Sequence, residues 1–289
     1  MQDNSVLWYQ VFVKKFYDTI EGNQNMQNNF QVTNRIKRKI AVLIVSLIFL
    51  LTGIIQVSAF DFSDWDALIQ EHVTLKVVSG ISIHAVNYEN LKNDPKFSNI
   101  VSRLRSVELD SLKTRDEKLA FWINAYNIFA IKMVVDHYPI KSIKDIGSFF
   151  IPVWKKSLGI LAGKERTLDE IEHKILRKLD EPRIHVAIVC ASVSCPDLRL
   201  EAFKAETLNN QLNNQLTAFL KSTTKGMKID RNGKQIYLSS IFKWFEDDFE
   251  SRGGVLKFIS KYVSPPVARQ LIDSDIKISY FPYNWDLNN

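Results

Sequence analysis

Two cysteines five residues apart, with a histidine five residues before the first, are the residues of this chain best suited to chemistry. They lie in RIHVAIVCASVSCP, residues 183–196, which holds His185, Cys190, Ser192, Ser194 and Cys195. A cysteine attacks as its thiolate, so a nucleophilic role requires a nearby base or positive field. The β-branched apolar half of the segment reads as a short buried strand, and Pro196 closes the small-residue half. On a strand, His185 and Cys190 fall on opposite faces, which makes His185 a core histidine bonded to backbone. Cys190 then lies in the apolar strand and Cys195 in the more accessible loop. The rival meaning of the pair is a Cys190–Cys195 disulfide.

A second histidine is the better partner for a thiol. Thr167-Leu168-Asp169-Glu170 is a capping box opening a helix to about Leu179. Leu168, Ile171, Ile175 and Leu179 form its apolar stripe, and His173 lies off that stripe at 100° per residue. His173 is therefore either exposed or turned into a cleft, with Glu170 three residues before it as a candidate orienter. The catalytic set so defined is Cys190 or Cys195 as nucleophile, His173 as base and Glu170 behind it. Trp122, Asn124, Asn127, His185, Ser192 and Ser194 are candidates for binding substrate. Asn124 and Asn127 share one helix face, where buried amides either pin loops or polarise a substrate carbonyl. Trp244, Asp247 and Asp248 are explained more simply by an amphipathic helix than by a groove.

All five histidines precede both cysteines, so a papain-type order, cysteine first, is excluded without permutation. A histidine-before-cysteine order, as in sortase-like or L,D-transpeptidase-like enzymes, fits the order alone; their local signatures are absent. There is no Gly-x-Ser-x-Gly elbow, P-loop, dinucleotide fingerprint or His-Glu-x-x-His motif. His173, His185 and a cysteine have no zinc-ligand spacing, so neither metal nor cofactor is assigned.

The elements that position these residues read as one domain of the α+β class, since helices and strands alternate without a βαβ rhythm. Its centre is a helix from about Thr114 to His137, hydrophobic all round after its first turn and therefore buried. This helix is expected to pack on a small mixed or antiparallel sheet. Further helices are predicted over 61–74, 94–109, 203–222, 239–251 and 254–262. A hairpin is predicted over Met227–Leu238 around Asn232-Gly233, with a last strand over Ile276–Tyr280.

Residues 40–55 form a charge-free apolar run after Arg35, Lys37, Arg38 and Lys39, and Val57-Ser58-Ala59 follows it. This is the layout of a secretory signal, with an uncleaved membrane anchor as the alternative. The expected organisation is a cytoplasmic leader over 1–39, a signal segment over 40–59 and a domain over 60–289. Residues 1–25 would reflect an over-extended start, with Met26 as the natural one. The domain is then periplasmic or secreted, touching the membrane only through its N-terminal segment. Residues 1–59 carry six Lys/Arg and three Asp/Glu, so the formal charge of +6 falls to +3 beyond them. That excess is too weak for a nucleic-acid partner. The expected partner is an envelope substrate or protein.

Five blocks carry a resemblance: LAFWINAYNIFAI, LDEIEHKIL, RIHVAIVCASVSCPDLR, LSSIFKWFEDDF and ISYFPYNWDLN. Together, in this order, they resemble the exported bacterial branch of the domain of unknown function 547 family. The resemblance implies a single domain following a signal, and directs attention to the polar residues of those blocks without supplying a reaction. The expected activity is a thiol-dependent hydrolysis or acyl/peptidyl transfer. The alternative is a non-catalytic binding domain stapled by the disulfide.

Overall fold

The computed structural model describes residues 14–15, 60–230, 232–272 and 276–289. The expected leader and signal segments lie outside the described residues. The chain divides into two units at residues 57 and 58, and the fold below is that of the second.

Helix α1 (Ser63–His72) leads into a hairpin of β1 (Val73–Val78) and β2 (Ile81–Val86), then α2 (Tyr88–Asn93) and α3 (Pro95–Leu104). The central helix α4 (Arg115–His137) starts where expected, at a capping box in which Thr114 and Glu117 satisfy each other's backbone N–H groups. Residues 119 to 131 of α4 are all buried. The helix is long and apolar enough to cross a membrane, yet here it forms the middle of a core.

A short hairpin, β3 (Ser157–Leu161) with β4 (Lys164–Thr167), precedes the segment that carries His173. That segment is not an α-helix. Glu170–Leu176 winds as a π-helix and Arg177–Leu179 as a 3₁₀ turn. Wider winding breaks the 100° phase used to place His173, and such turns occur often at functional sites.

The expected strand at 183–190 is absent. Pro182–Val186 is a 3₁₀ helix, and the chain then runs irregularly through Cys190 to a left-handed Ala191 at φ 54°. The apolar side chains are buried as expected, but among the described residues no strand lies beside them to form a ladder. Asn127 takes that place: its Oδ1 accepts from Val189 N–H at 2.9 Å and its Nδ2 donates to Ala187 C=O at 2.9 Å.

Helix α5 (Leu208–Lys221) is followed by the expected hairpin, β5 (Met227–Ile229) with β6 (Gln235–Leu238). Short helices α6 (Ile241–Trp244), α7 (Asp247–Glu250), α8 (Val255–Ile259) and α9 (Pro265–Leu271) come next. Strand β7 (Lys277–Tyr280) then pairs with β6 in parallel. The α+β class holds, with three small sheets among the described residues in place of one. The mixed sheet belongs to a second core cluster around Leu238, Phe242, Phe249 and Phe258, separate from the one built on α4.

The C-terminal segment closes the fold. Ser192 bridges Leu287 antiparallel, Val193 N–H donates to Asp286 C=O and Ser194 N–H to Asn284 C=O. FPYNWDLN is thereby laid against the cysteine segment.

Candidate functional site

A cavity of about 170 Å³ opens where the π-helical segment, the 3₁₀ helix, the cysteine segment, α6 and the C-terminal segment meet. Its polar lining is Asp169, Glu172, His173, His185, Cys190 and Cys195, set among Tyr126, Trp154, Trp244, Phe245, Tyr283 and Trp285.

The exposure of the two sulfurs is the reverse of that expected. Cys195 is buried and Cys190 is half-buried, and both are free thiols. Folding back at Ala191 directs the Cys190 backbone N–H to the Cys195 sulfur at 2.9 Å, which takes Cys195 inward. The Cys190 sulfur meets the Tyr283 hydroxyl at 3.1 Å and the Ser192 hydroxyl at 3.2 Å. Burial opposes ionisation of Cys190, but hydrogen bonds from Cys195, Ser192 and Tyr283 outweigh it and bring its pKa down to about 7. Burial drives Cys195 the other way, helped by the neighbouring Cys190. Tyr283 is likewise pushed well up by burial and by Cys190, so its hydroxyl keeps its proton and donates it.

His185 is fully enclosed, on the 3₁₀ helix rather than a strand. Its Nε2 lies 2.7 Å from Asp248 Oδ2, a carboxylate, rather than on the backbone oxygen expected of it. Burial raises the pKa of Asp248, but hydrogen bonds from His185 and from both arms of Arg177, at 2.6 and 2.7 Å, hold it well below the carboxylate range. An ionised Asp248 fixes the proton on Nε2 of His185. Phe245 stacks on the ring with centroids 3.9 Å apart, fixing its plane. Nδ1 is then a bare acceptor, buried and without a hydrogen-bond partner. Burial lowers the pKa of this imidazole against the pull of Asp248. Glu172 Oε1 lies 4.0 Å from Nδ1. Burial lifts Glu172 to about 7, while its other oxygen accepts from the Tyr126 hydroxyl at 3.3 Å.

His173 lines the same cavity without the partner expected. Glu170 turns away to Arg166 at 3.0 Å and Lys164 at 3.2 Å, and the β3–β4 hairpin claims it for that ion-pair cluster. Arg177 Nη1 donates to His173 Nδ1 at 3.0 Å instead, and Asp169 lies 3.9 Å from Nε2. Burial lowers the pKa of His173, with Asp169 opposing and Arg177 reinforcing. Neither His173 nor His185 is hydrogen-bonded to a sulfur.

The remaining candidates are dispersed. Ser192 touches Cys190 and Tyr283, whereas Ser194 holds the C-terminal segment by accepting from Asn284 N–H at 2.9 Å. Asn124 clamps the Phe203 backbone through both its amide atoms, and Asn127 clamps Ala187 and Val189. Trp122 is buried under the Arg166 guanidinium. None of Trp122, Asn124 and Asn127 lines the cavity. Sequence reasoning missed Glu172, Tyr126, Tyr283 and Arg177, and set Asp248 aside. The blocks that carry the resemblance hold Tyr126, Glu172 and Tyr283, and were the signal for those three. Among the described residues, the one cluster with metal-ligand proximity is Glu71, His72 and Asp94, away from this cavity.

Carboxylate, imidazole and thiol thus share one aromatic-walled cavity. The chain resembles the domain of unknown function 547 family: residues 109–220 match the family model described as "Protein of unknown function, DUF547". The matched segment runs from the approach to α4 into α5 and holds Glu172, His173, His185 and both cysteines. Asp248, Trp244, Tyr283 and Trp285 lie beyond it. No curated protein and no solved structure matches the chain.

Proposed function

We propose that this domain is a thiol-dependent hydrolase or acyl/peptidyl transferase with Cys190 as nucleophile. The observation that carries the reading is an unpartnered Nδ1 on a carboxylate-held His185, in the same cavity as a thiol whose pKa is drawn down to about 7. In this scheme the Cys190 thiolate attacks a substrate carbonyl and forms a thioester as the leaving group departs. Glu172, half protonated near pH 7, supplies the proton that the leaving group takes. His185 Nδ1 then takes a proton from the water or acyl acceptor that attacks the thioester, and the resulting imidazolium is stabilised by Asp248. His185 thereby replaces His173 as the base. The domain is proposed to work in the cell envelope, following the basic and apolar pattern of residues 35–59.

The test is acylation by p-nitrophenyl acetate, followed by mass spectrometry. The expected result is a burst and an acetyl adduct on Cys190, both lost in Cys190→Ala, with the adduct persisting longer in His185→Ala. Turnover unchanged in Cys190→Ala sinks the reading. The hydrogen bond between the Cys190 and Cys195 side chains supports a second reading, a binding domain stapled by a Cys190–Cys195 disulfide. Zero alkylatable thiols in denatured native protein decides for that one.

A further inference from the structure

Large apolar side chains rarely stand fully in water side by side. In this protein Phe149 is 96% exposed and Phe150 87%, their rings packed edge to face at 5.4 Å, and Ile151 beside them is also exposed. The loop that carries them is braced. Ser148 N–H donates to Ile151 C=O at 2.9 Å, and Ile151 N–H to the Ser148 hydroxyl at 3.1 Å. Gly147 approaches the backbone so closely that a Cβ there would stand 2.9 Å from Val153 N. Ile143, Ile146 and Val153 anchor the base in the core. The apolar tip is held outward by a built turn.

Four lysines flank this tip: Lys141 and Lys144 before it, Lys155 and Lys156 after it. Among the described residues none of the four is in an ion pair. The single acid of the stretch, Asp145, is occupied in capping, accepting from Lys141 and Ser142 N–H. An apolar tip flanked by lysines, of which Lys144 stands over the Trp285 ring at 4.8 Å, matches a bilayer interface, where side chains enter the acyl boundary and lysines meet anionic headgroups. Three apolar side chains are too small a patch for a stable protein interface, which buries roughly 1,200 Å² or more.

We infer that the Ser148–Pro152 loop docks the folded domain onto an anionic lipid surface. This contact is additional to any made by residues 40–55 and does not depend on the thiol chemistry. Trp154, at the foot of the loop, lines the cavity, so docking would bring the cavity close to the membrane.

Residues 60–289 contain the core clusters and all three sheets, so this segment is the one to test, with its folding verified by thermal melting. It is floated with vesicles of phosphatidylcholine and phosphatidylglycerol at 3:1, and with phosphatidylcholine alone. Binding to the anionic vesicles is expected, weakening as salt rises. Phe149→Ser/Phe150→Ser should lower it about tenfold or more with an unchanged melt. Lys141→Glu/Lys156→Glu should lower it by a similar factor and erase the lipid preference. Cys190→Ser should bind as wild type. The inference is overturned if wild type does not float, or if the double serine variant floats equally. It is also overturned if the phenylalanines instead drive concentration-dependent dimerisation without lipid.

Discussion

Two sets of buried polar side chains, one on α4 and one around the cavity, are satisfied very differently. Asn124 and Asn127, on α4, spend each amide as a backbone mimic, donating and accepting at 2.8–2.9 Å against Phe203, Ala187 and Val189. On the cavity side, His185 leaves Nδ1 bare, Glu172 sits near neutral pH in its proton affinity, and Cys190 does the same. A fully satisfied buried group fixes a conformation and has nothing left to offer a ligand. An unsatisfied one is a standing cost that a structure without a use for it would shed. The contrast separates the residues that make this segment from the residues that could use it.

The sharpest way to break that contrast is to delete an asparagine. Asn127→Ala strands the Val189 N–H and the Ala187 C=O in a dry core, so a loss of about 4 kcal/mol is expected in urea unfolding. The pH profile of Cys190 alkylation should survive in whatever fraction remains folded. A variant of near-native stability would mean that the clamp does not hold the segment.

Glu172 should behave oppositely. Its pKa is about 7 in the fold against an ordinary value of 4.5, so the folded state holds a proton that the unfolded chain releases between those values. Stability from this group is complete below about pH 4.5 and is lost as pH rises through 7. Glu172→Gln removes that dependence and should stabilise the protein at pH 8 by up to about 3 kcal/mol, with little change at pH 4.5. A loss of stability at pH 8 would place Glu172 with the asparagines as a structural group.

Asp248→Ala tests the other end of His185. It deprives Nε2–H and both arms of Arg177 of their acceptor, and about 2 kcal/mol of stability should go with it. Alkylation of Cys190 should stay near wild type, while the acetyl adduct should decay more slowly, as in His185→Ala. Equal decay in Asp248→Ala and wild type would remove Asp248 from the mechanism.

The same contrast explains what could be read from the sequence. Composition and periodicity suffice for α4, because burial on every side and a capping box are local properties of its residues. The β5–β6 hairpin is legible for the same reason. The 183–190 run was misread because an apolar, β-branched segment states only that it is buried. Whether it becomes a strand depends on a neighbouring strand, and here Asn127 supplies the partners. Helix phase leaves His173 either exposed or turned into a cleft; it lines the cavity, and Glu170 is engaged by Arg166 and Lys164 instead of orienting it. His185 meets Asp248 across 63 residues and Cys190 meets Tyr283 across 93, and no local pattern records that.

Tyr283 gives the smallest effect and the finest test of the thiol. Cys190 must overcome burial to ionise near pH 7, and it does so through hydrogen bonds from Cys195, Ser192 and Tyr283 together. Tyr283→Phe removes one of them and keeps the ring against Trp244 and Trp285, so the cavity wall stays in place. The midpoint of iodoacetamide alkylation at Cys190 should move up by about one pH unit or less, consistent with one hydrogen bond to a charged group shared among several. Cys195, buried and shifted upward, should stay unmodified at neutral pH, so a single mass adduct reports on Cys190 alone. A midpoint unmoved in Tyr283→Phe but raised in Ser192→Ala would assign the thiolate to its own loop. The C-terminal segment would then shape the cavity without tuning its nucleophile.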